Sequence, residues 1–179
     1  MFTNWLRTNK NAAIVLTILR VYLGWQWLTA GFEKLTGAKP FDASGFLTNS
    51  IKHPVLGPAK DVVYPIFHWF IQNFVMPNMK VFNFLIPWGE FLVGLGLVLG
   101  VVTTTAVFFG MLMNFMYLLA GTVSTNPWDI LIGMFIIVAG YNAGRFGGDY
   151  WVIPYLRNLK HERFHFDHFK FGGHKGARI

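Results

Sequence analysis

The sequence predicts an all-α membrane protein: a four-transmembrane-helix bundle, N-in/C-in, with an interfacial or re-entrant helix in the long outer loop between helices 1 and 2. Three observations carry this expectation. Of the 179 residues, 54% are hydrophobic and 13% are charged, about half the ~25% charged content of a soluble domain. The apolar residues fall in blocks of ~18–21, enough at ~1.5 Å per residue to cross a ~30 Å hydrocarbon core. Basic residues flank the blocks at both ends of the chain.

Each element follows in order. "MFTNWLRTNK" sets Arg7 and Lys10 ahead of the first apolar run. It reads as a retained anchor, because the run is too long for a signal peptide and no small-residue cleavage site ends it. Spans are predicted over 12–32, 81–101, 104–121 and 128–145, within a membrane domain covering 1–157. They must be helices, since lipid offers the backbone no hydrogen-bond partners. The outer loop, 37–80, is rich in Pro and Gly. Inside it, "DVVYPIFHWFIQNFVM" (61–76) is apolar but short, with Asp61, His68 and Gln72 near one helical face. That pattern fits a helix lying in the interface, and Pro77 and Asn78 predict a break before the second span. The tail, 158–179, is basic and rich in His and Phe, and the positive-inside rule places it in the cytoplasm.

Composition also excludes. With no cysteine, the chain has no disulfide, no thiol chemistry and no Cys-ligated zinc, iron–sulfur cluster or c-type haem; no flavin motif is visible either. The net charge of +7 reflects loop topology, and no nucleic-acid partner is expected. His161, His165 and His168 stand at i, i+4, i+7 but interleave with Phe164, Phe166 and Phe169. A basic aromatic tail on the membrane surface accounts for them, and no metal site is predicted.

Three polar residues interrupt the spans. Arg20, Glu90 and Asn114 are predicted at depths of ~12, ~16 and ~15 Å. Alone in lipid, the two charges would each cost at least ~2.5 kcal/mol, which predicts an Arg20–Glu90 pair with Asn114 as third partner. The pair can serve only to fix helix packing, or it can floor a ligand cavity between helices. Arg20, Gly24, Trp27 and Gly31 share one helical stripe, and Glu90 and Gly94 are one turn apart. Small residues at such spacing let helices approach closely. Trp27 and Trp88 lie deeper than a headgroup belt would place them. In "NPWD" (126–129), Asn126 can cap a helix and Asp129 sits in its first turn. Arg145 in "GYNAGRFGGD" (140–149) can meet the last carbonyls of that helix or lipid phosphates.

"LRVYLGWQWLTAGFEKLTG" (19–37), "GEFLVGLGLVLGVVTTTA" (89–106) and "NAGRFGGDYW" (142–151) together resemble the DoxX/DoxD-like membrane proteins. The resemblance covers about residues 12–156, and the long insertion after the first helix resembles the DoxD type. It implies a subunit of a thiosulfate:quinone oxidoreductase, which oxidises thiosulfate to tetrathionate and passes electrons to quinone. It also implies a second redox subunit or soluble partner, and a multi-pass protein of a prokaryotic plasma membrane. The motif positions are Arg20, Glu33, Lys34, Glu90, Arg145 and Asp149. Within that expectation Glu90, Arg20 and His68 are the catalytic candidates. Lys34, Lys39, Asn114, Trp27 and Trp88 are the substrate-binding candidates, the two lysines for the thiosulfate dianion. Glu33, Asp129, Arg145 and Asp149 are assigned structural roles. The competing expectation is a non-catalytic scaffold or assembly partner of a respiratory or detoxification complex, and a homodimer fits either. A transporter is the weakest option, because the spans show no paired half-helices.

Overall fold

The computed structural model describes residues 1–158; the rest of the predicted tail, with His161, His165 and His168, lies outside them. The described chain is helical: α1 (Phe2–Thr8), α2 (Lys10–Thr36), α3 (Ser44–Lys52), α4 (Pro65–Phe70), α5 (Met79–Leu99), α6 (Thr103–Leu119), α7 (Asn126–Ala139) and α8 (Tyr141–Gly144). A last helical stretch, α9, covers 149–158.

Helices α2, α5, α6 and α7 pack in a ring, each touching the next and α7 closing back on α2. Glycine sets the closest of these approaches. A Cβ on Gly31 would strike the Phe91 backbone, one on Gly94 the Leu28 backbone, and one on Gly24 would come within 2.8 Å of Leu97 Cβ. The predicted stripe is thus real: Arg20, Gly24, Trp27 and Gly31 are all buried. Solvent preference is inverted relative to a water-soluble bundle. Arg20, Glu90, Asn114, Asp129, Asn142 and Asp149 are buried, while Ile18, Trp25, Phe84, Leu92, Phe108 and Trp128 are half exposed or more. An exposed apolar surface of this extent over buried charges fits a lipid surround. Two helical segments are long and apolar enough to cross a membrane: Lys10–Thr36, with 27 residues, and Pro65–Leu99, with 35. The apolar helices α6 and α7 are shorter, at 17 and 14 residues.

The structure corrects two boundaries. Pro77 and Asn78 do not separate the 61–76 segment from the second span. The helix continues from α4 into α5 through a π turn (Ile71–Val75) and a 3₁₀ turn (Met76–Asn78). Pro77 falls at the start of that tighter turn, where a missing N–H costs little, and Asn78 Nδ2 donates to Phe74 O at 2.7 Å. The combined helix is ~52 Å long, well beyond a ~30 Å hydrocarbon core. The segment is therefore an extension of the second span and not a separate interfacial helix. Its outer part packs with α3 around Leu47, Ile71 and Val75, a second small core apart from that of the bundle. The predicted fourth span, 128–145, ends early: Gly140, at φ +58°, turns the chain after α7.

At the end of the bundle carrying the chain terminus, distant residues satisfy helix ends. Arg7 Nε donates to Val138 O at 2.9 Å. Asn142 Nδ2 donates to Leu6 O and Asn9 O at 2.8 and 2.9 Å. The opposite end carries residues 37–64 and is called the loop end below. There Asn83 Nδ2 donates to Asp42 Oδ1 at 3.0 Å and Asn83 Oδ1 accepts from Ala43 N at 2.9 Å, fastening the α3 entry to α5.

Candidate functional site

The close contacts between α2 and α5 fix an antiparallel register: Gly24 faces Leu97, Leu28 faces Gly94 and Gly31 faces Phe91. Continuing that register brings the end of α2 onto Glu90. Lys34 Nζ contacts Glu90 Oε2 at 2.5 Å, and Tyr117 of α6 donates its hydroxyl to Glu90 Oε1 at 2.7 Å. Glu90 is only 2% exposed, so its charge is carried by one cation and one hydroxyl in a low-dielectric surround, where such bonds are short and strong. Lys34 also lies over the Phe41 ring, 5.7 Å from its centroid.

This triad opens on a cavity of about 360 Å³ at the loop end, within the size range of small-molecule sites. Its walls include Trp27, Phe46, Asn114, Tyr117, Asn126 and Asp129. Asn114 is 2% exposed, and its amide nitrogen has no hydrogen-bond partner among the described residues. A buried polar group without a partner costs about 1–3 kcal/mol, so this donor is poised for an acceptor that enters the cavity. Asp129 accepts from Thr125 Oγ1 at 2.9 Å, and Asn126 donates to Thr122 O at 2.9 Å instead of capping α7.

Arg20 is elsewhere. It is 1% exposed and donates Nη1 to Leu97 O at 2.7 Å and, more loosely, to Val98 O at 3.5 Å. It therefore caps the C-terminal, negative end of α5. The predicted Arg20–Glu90 pair does not form. Glu90 precedes Leu97 by seven positions, ~10 Å along the helix, so the two charges occupy different levels. Asp149 lies close enough to act electrostatically on Arg20. Its Oδ2 accepts from Thr103 N at 3.1 Å, capping an α6 N-terminus whose own flanking residue, Val102, is held at φ 46° and makes no side-chain cap. Gly148 N and Asp149 N donate to Leu99 O and Gly100 O at 3.0 and 2.6 Å. A Cβ on Gly100 (φ +66°) would collide with the Arg20 guanidinium. This second polar cluster ties α2, α5, α6 and the chain end together.

The remaining sequence candidates divide as follows. Trp27, Lys34, Asn114 and Asp129 join Glu90 around the cavity; Lys39, Trp88 and His68 do not line it. Lys39 and Glu33 are exposed. Trp88 is 40% exposed and packs at a tilt against Phe84 and edge to face against Phe91. His68 Nε2 lies 3.1 Å from Ile51 O, linking α4 to α3. Arg145 borders a groove with Lys10, Tyr150 and Trp151 at the other end. Sequence reasoning missed Tyr117, which looks like one more aromatic in an apolar helix, and missed Gln26 and Phe46 on the cavity wall.

The DoxX family model matches residues 15–123. The chain belongs to the DoxX family. The match runs from α2 to the loop after α6, so it includes Lys34, Glu90, Asn114 and Tyr117 of the cavity, while Asp129 and Asp149 lie beyond it. DoxX proteins are typically membrane proteins associated with quinone-linked oxidoreductases. No curated protein and no solved structure matches this DoxX chain.

Proposed function

We propose that this DoxX protein is the quinone-binding membrane subunit of a plasma-membrane oxidoreductase, and that the ring binds in the Glu90 cavity. The observation that carries the proposal is the unpartnered Asn114 amide beside the Lys34–Glu90–Tyr117 triad. The residues fit the group. A quinone ring offers carbonyl acceptors and a flat apolar face; the cavity offers a spare amide donor, a phenol and the Trp27 and Phe46 rings. When bound, the quinone supplies a two-electron, two-proton acceptor. Asn114 orients one carbonyl. Glu90 and Tyr117 hold protons within one hydrogen-bonded chain, and Lys34 keeps the Glu90 charge tolerable in the bundle.

All four ring helices cross the membrane in this proposal, with the loop end outside and both termini in the cytoplasm. Thiosulfate is the proposed donor: two dianions give tetrathionate and two electrons. The cavity itself suits a neutral ligand better than a dianion, because among the described residues Asp42, Glu90 and Asp129 line it against Lys34 as the one cation. Thiosulfate oxidation is therefore assigned to a partner subunit, with electrons delivered to this chain's quinone. The test is mass spectrometry of small molecules extracted from protein purified in mild detergent. Near-stoichiometric quinone in the wild type, lost in Glu90→Gln and in Tyr117→Phe, supports the site. Its absence from the wild type, or equal retention in both variants, refutes it.

A further inference from the structure

A second cavity of about 270 Å³ adjoins the first. It runs between the α3–α4 layer and α5–α6, and its lining is almost wholly apolar, with Phe70, Val75, Phe82, Leu112, Met113 and Met116 among its walls. The two cavities share Phe46, Ile86 and Tyr117. Phe46 and Tyr117 meet edge to face with centroids 6.3 Å apart, so one aromatic pair stands between a polar chamber and an apolar one. The apolar chamber reaches the bundle surface at Leu85, Leu112 and Met116, which are 55%, 39% and 37% exposed. Surfaces of this kind face lipid in the membrane reading above.

We propose that the apolar chamber is the tail subsite of a lipid-soluble, long-chain quinone, with the Phe46–Tyr117 pair marking the junction of head and tail. The proposal rests on the head site assigned above. A ring held at Asn114 and Glu90 must send its chain out somewhere. The acid-bearing mouth of the first cavity is polar, whereas the shared wall leads directly into an apolar passage ending at lipid. The tail gains little affinity there, because lipid solvates it equally well; the passage matters sterically, by deciding which ligands can seat their heads. Tyr117 thus contacts both parts of the ligand, its hydroxyl on the Glu90 side and its ring edge on the tail side.

The test uses the full chain in lipid nanodiscs with two ligands, a tailless dimethoxy-methyl-benzoquinone and its decyl homologue, and empty nanodiscs as the blank. Met116→Trp and Leu85→Trp fill the passage at its exposed mouth, where the bundle core is not disturbed. The decyl compound is expected to lose about tenfold or more in affinity, the scale of overfilling a packed site, while the tailless compound keeps its wild-type affinity. Unchanged binding of both compounds in both variants overturns the tail subsite but leaves the head site standing. Equal loss of both compounds also overturns it, since the passage then does not discriminate tails. Failure of the wild type to bind either compound overturns the head site itself, a result distinct from the other two.

Discussion

Replacing Asn114 by Leu should make the quinone-free protein more stable and the site inactive. The two side chains share one branched four-atom skeleton, and the larger methyl groups of Leu have the adjoining cavity of about 360 Å³ to extend into, so no cavity is created and the overpacking is small. What changes is a buried amide: Asn114 is 2% exposed and its Nδ2 has no partner. An unsatisfied buried donor costs about 1–3 kcal/mol in water-soluble proteins. In a bilayer or micelle the separated helices find other partners, which pulls the figure toward the low end. The expected gain is about 1 kcal/mol, read as a shift to higher SDS in an unfolding titration of quinone-depleted protein in mild detergent. Retained quinone, measured on the same preparation before depletion, should fall to the level of the blank. An Asn114→Leu protein that is less stable than wild type and keeps its quinone would refute the reasoning, because Asn114 would then be a satisfied packing residue.

Other perturbations separate the two polar clusters. Arg20→Gln should cost about 3–5 kcal/mol, since it removes a buried cation from the α5 terminus and leaves Asp149 uncompensated, whereas Glu90→Gln should cost about 1 kcal/mol or less because the Lys34 side chain, 30% exposed, can turn to water; SDS titration of both variants compares them directly. Gly94→Ala should cost about 2 kcal/mol or more by forcing α2 and α5 apart, and the same titration reads it. Asp42 gives a pH effect outside the spans. Hydrogen bonds from Ser44, then from Asn83, hold its carboxyl below the ordinary 3.8. A depressed folded value means the latch is intact above pH 3.8 and is lost as pH falls through the folded value, so limited proteolysis in residues 53–64 should accelerate below that pH in wild type and be pH-independent in Asp42→Asn.

Much of the bundle was legible from residue type alone. Gly24 and Gly31, two turns apart on the Arg20 stripe of α2, and Gly94, one turn from Glu90 in α5, pointed to faces where helices approach closely, because small residues on one face of an apolar helix let backbones come near. Glu90, Asn114 and Arg20 announced themselves as buried, because lipid admits no other place for them. Their partners were not legible. Pairing depends on the register of two antiparallel helices, and a depth count from approximate span ends carries an error of several residues. That error moved Glu90 from Lys34 to Arg20. Tyr117 was hidden by its surroundings, since a phenol among Phe, Met and Leu looks lipid-facing until a carboxylate is placed opposite it. The π turn was hidden for another reason: it depends on which carbonyl each N–H selects, a choice that side-chain periodicity does not record.

The terminal end of the bundle has a consequence for biosynthesis. Asn142 fastens Leu6 and Asn9, and Asp149 supplies the first amide contact of α6. Both come late in the chain, after every ring helix has been made. Until they emerge from the ribosome, α6 starts without its cap and Arg20 lacks its countercharge. A nascent chain halted after Ala139 would hold all four ring helices and still lack this closure. Quality-control proteases that sample unfinished membrane proteins would therefore meet a bundle open at one end, and residues 141–149, α8 and the turn that leads to Asp149, would act as the seal that ends that exposure.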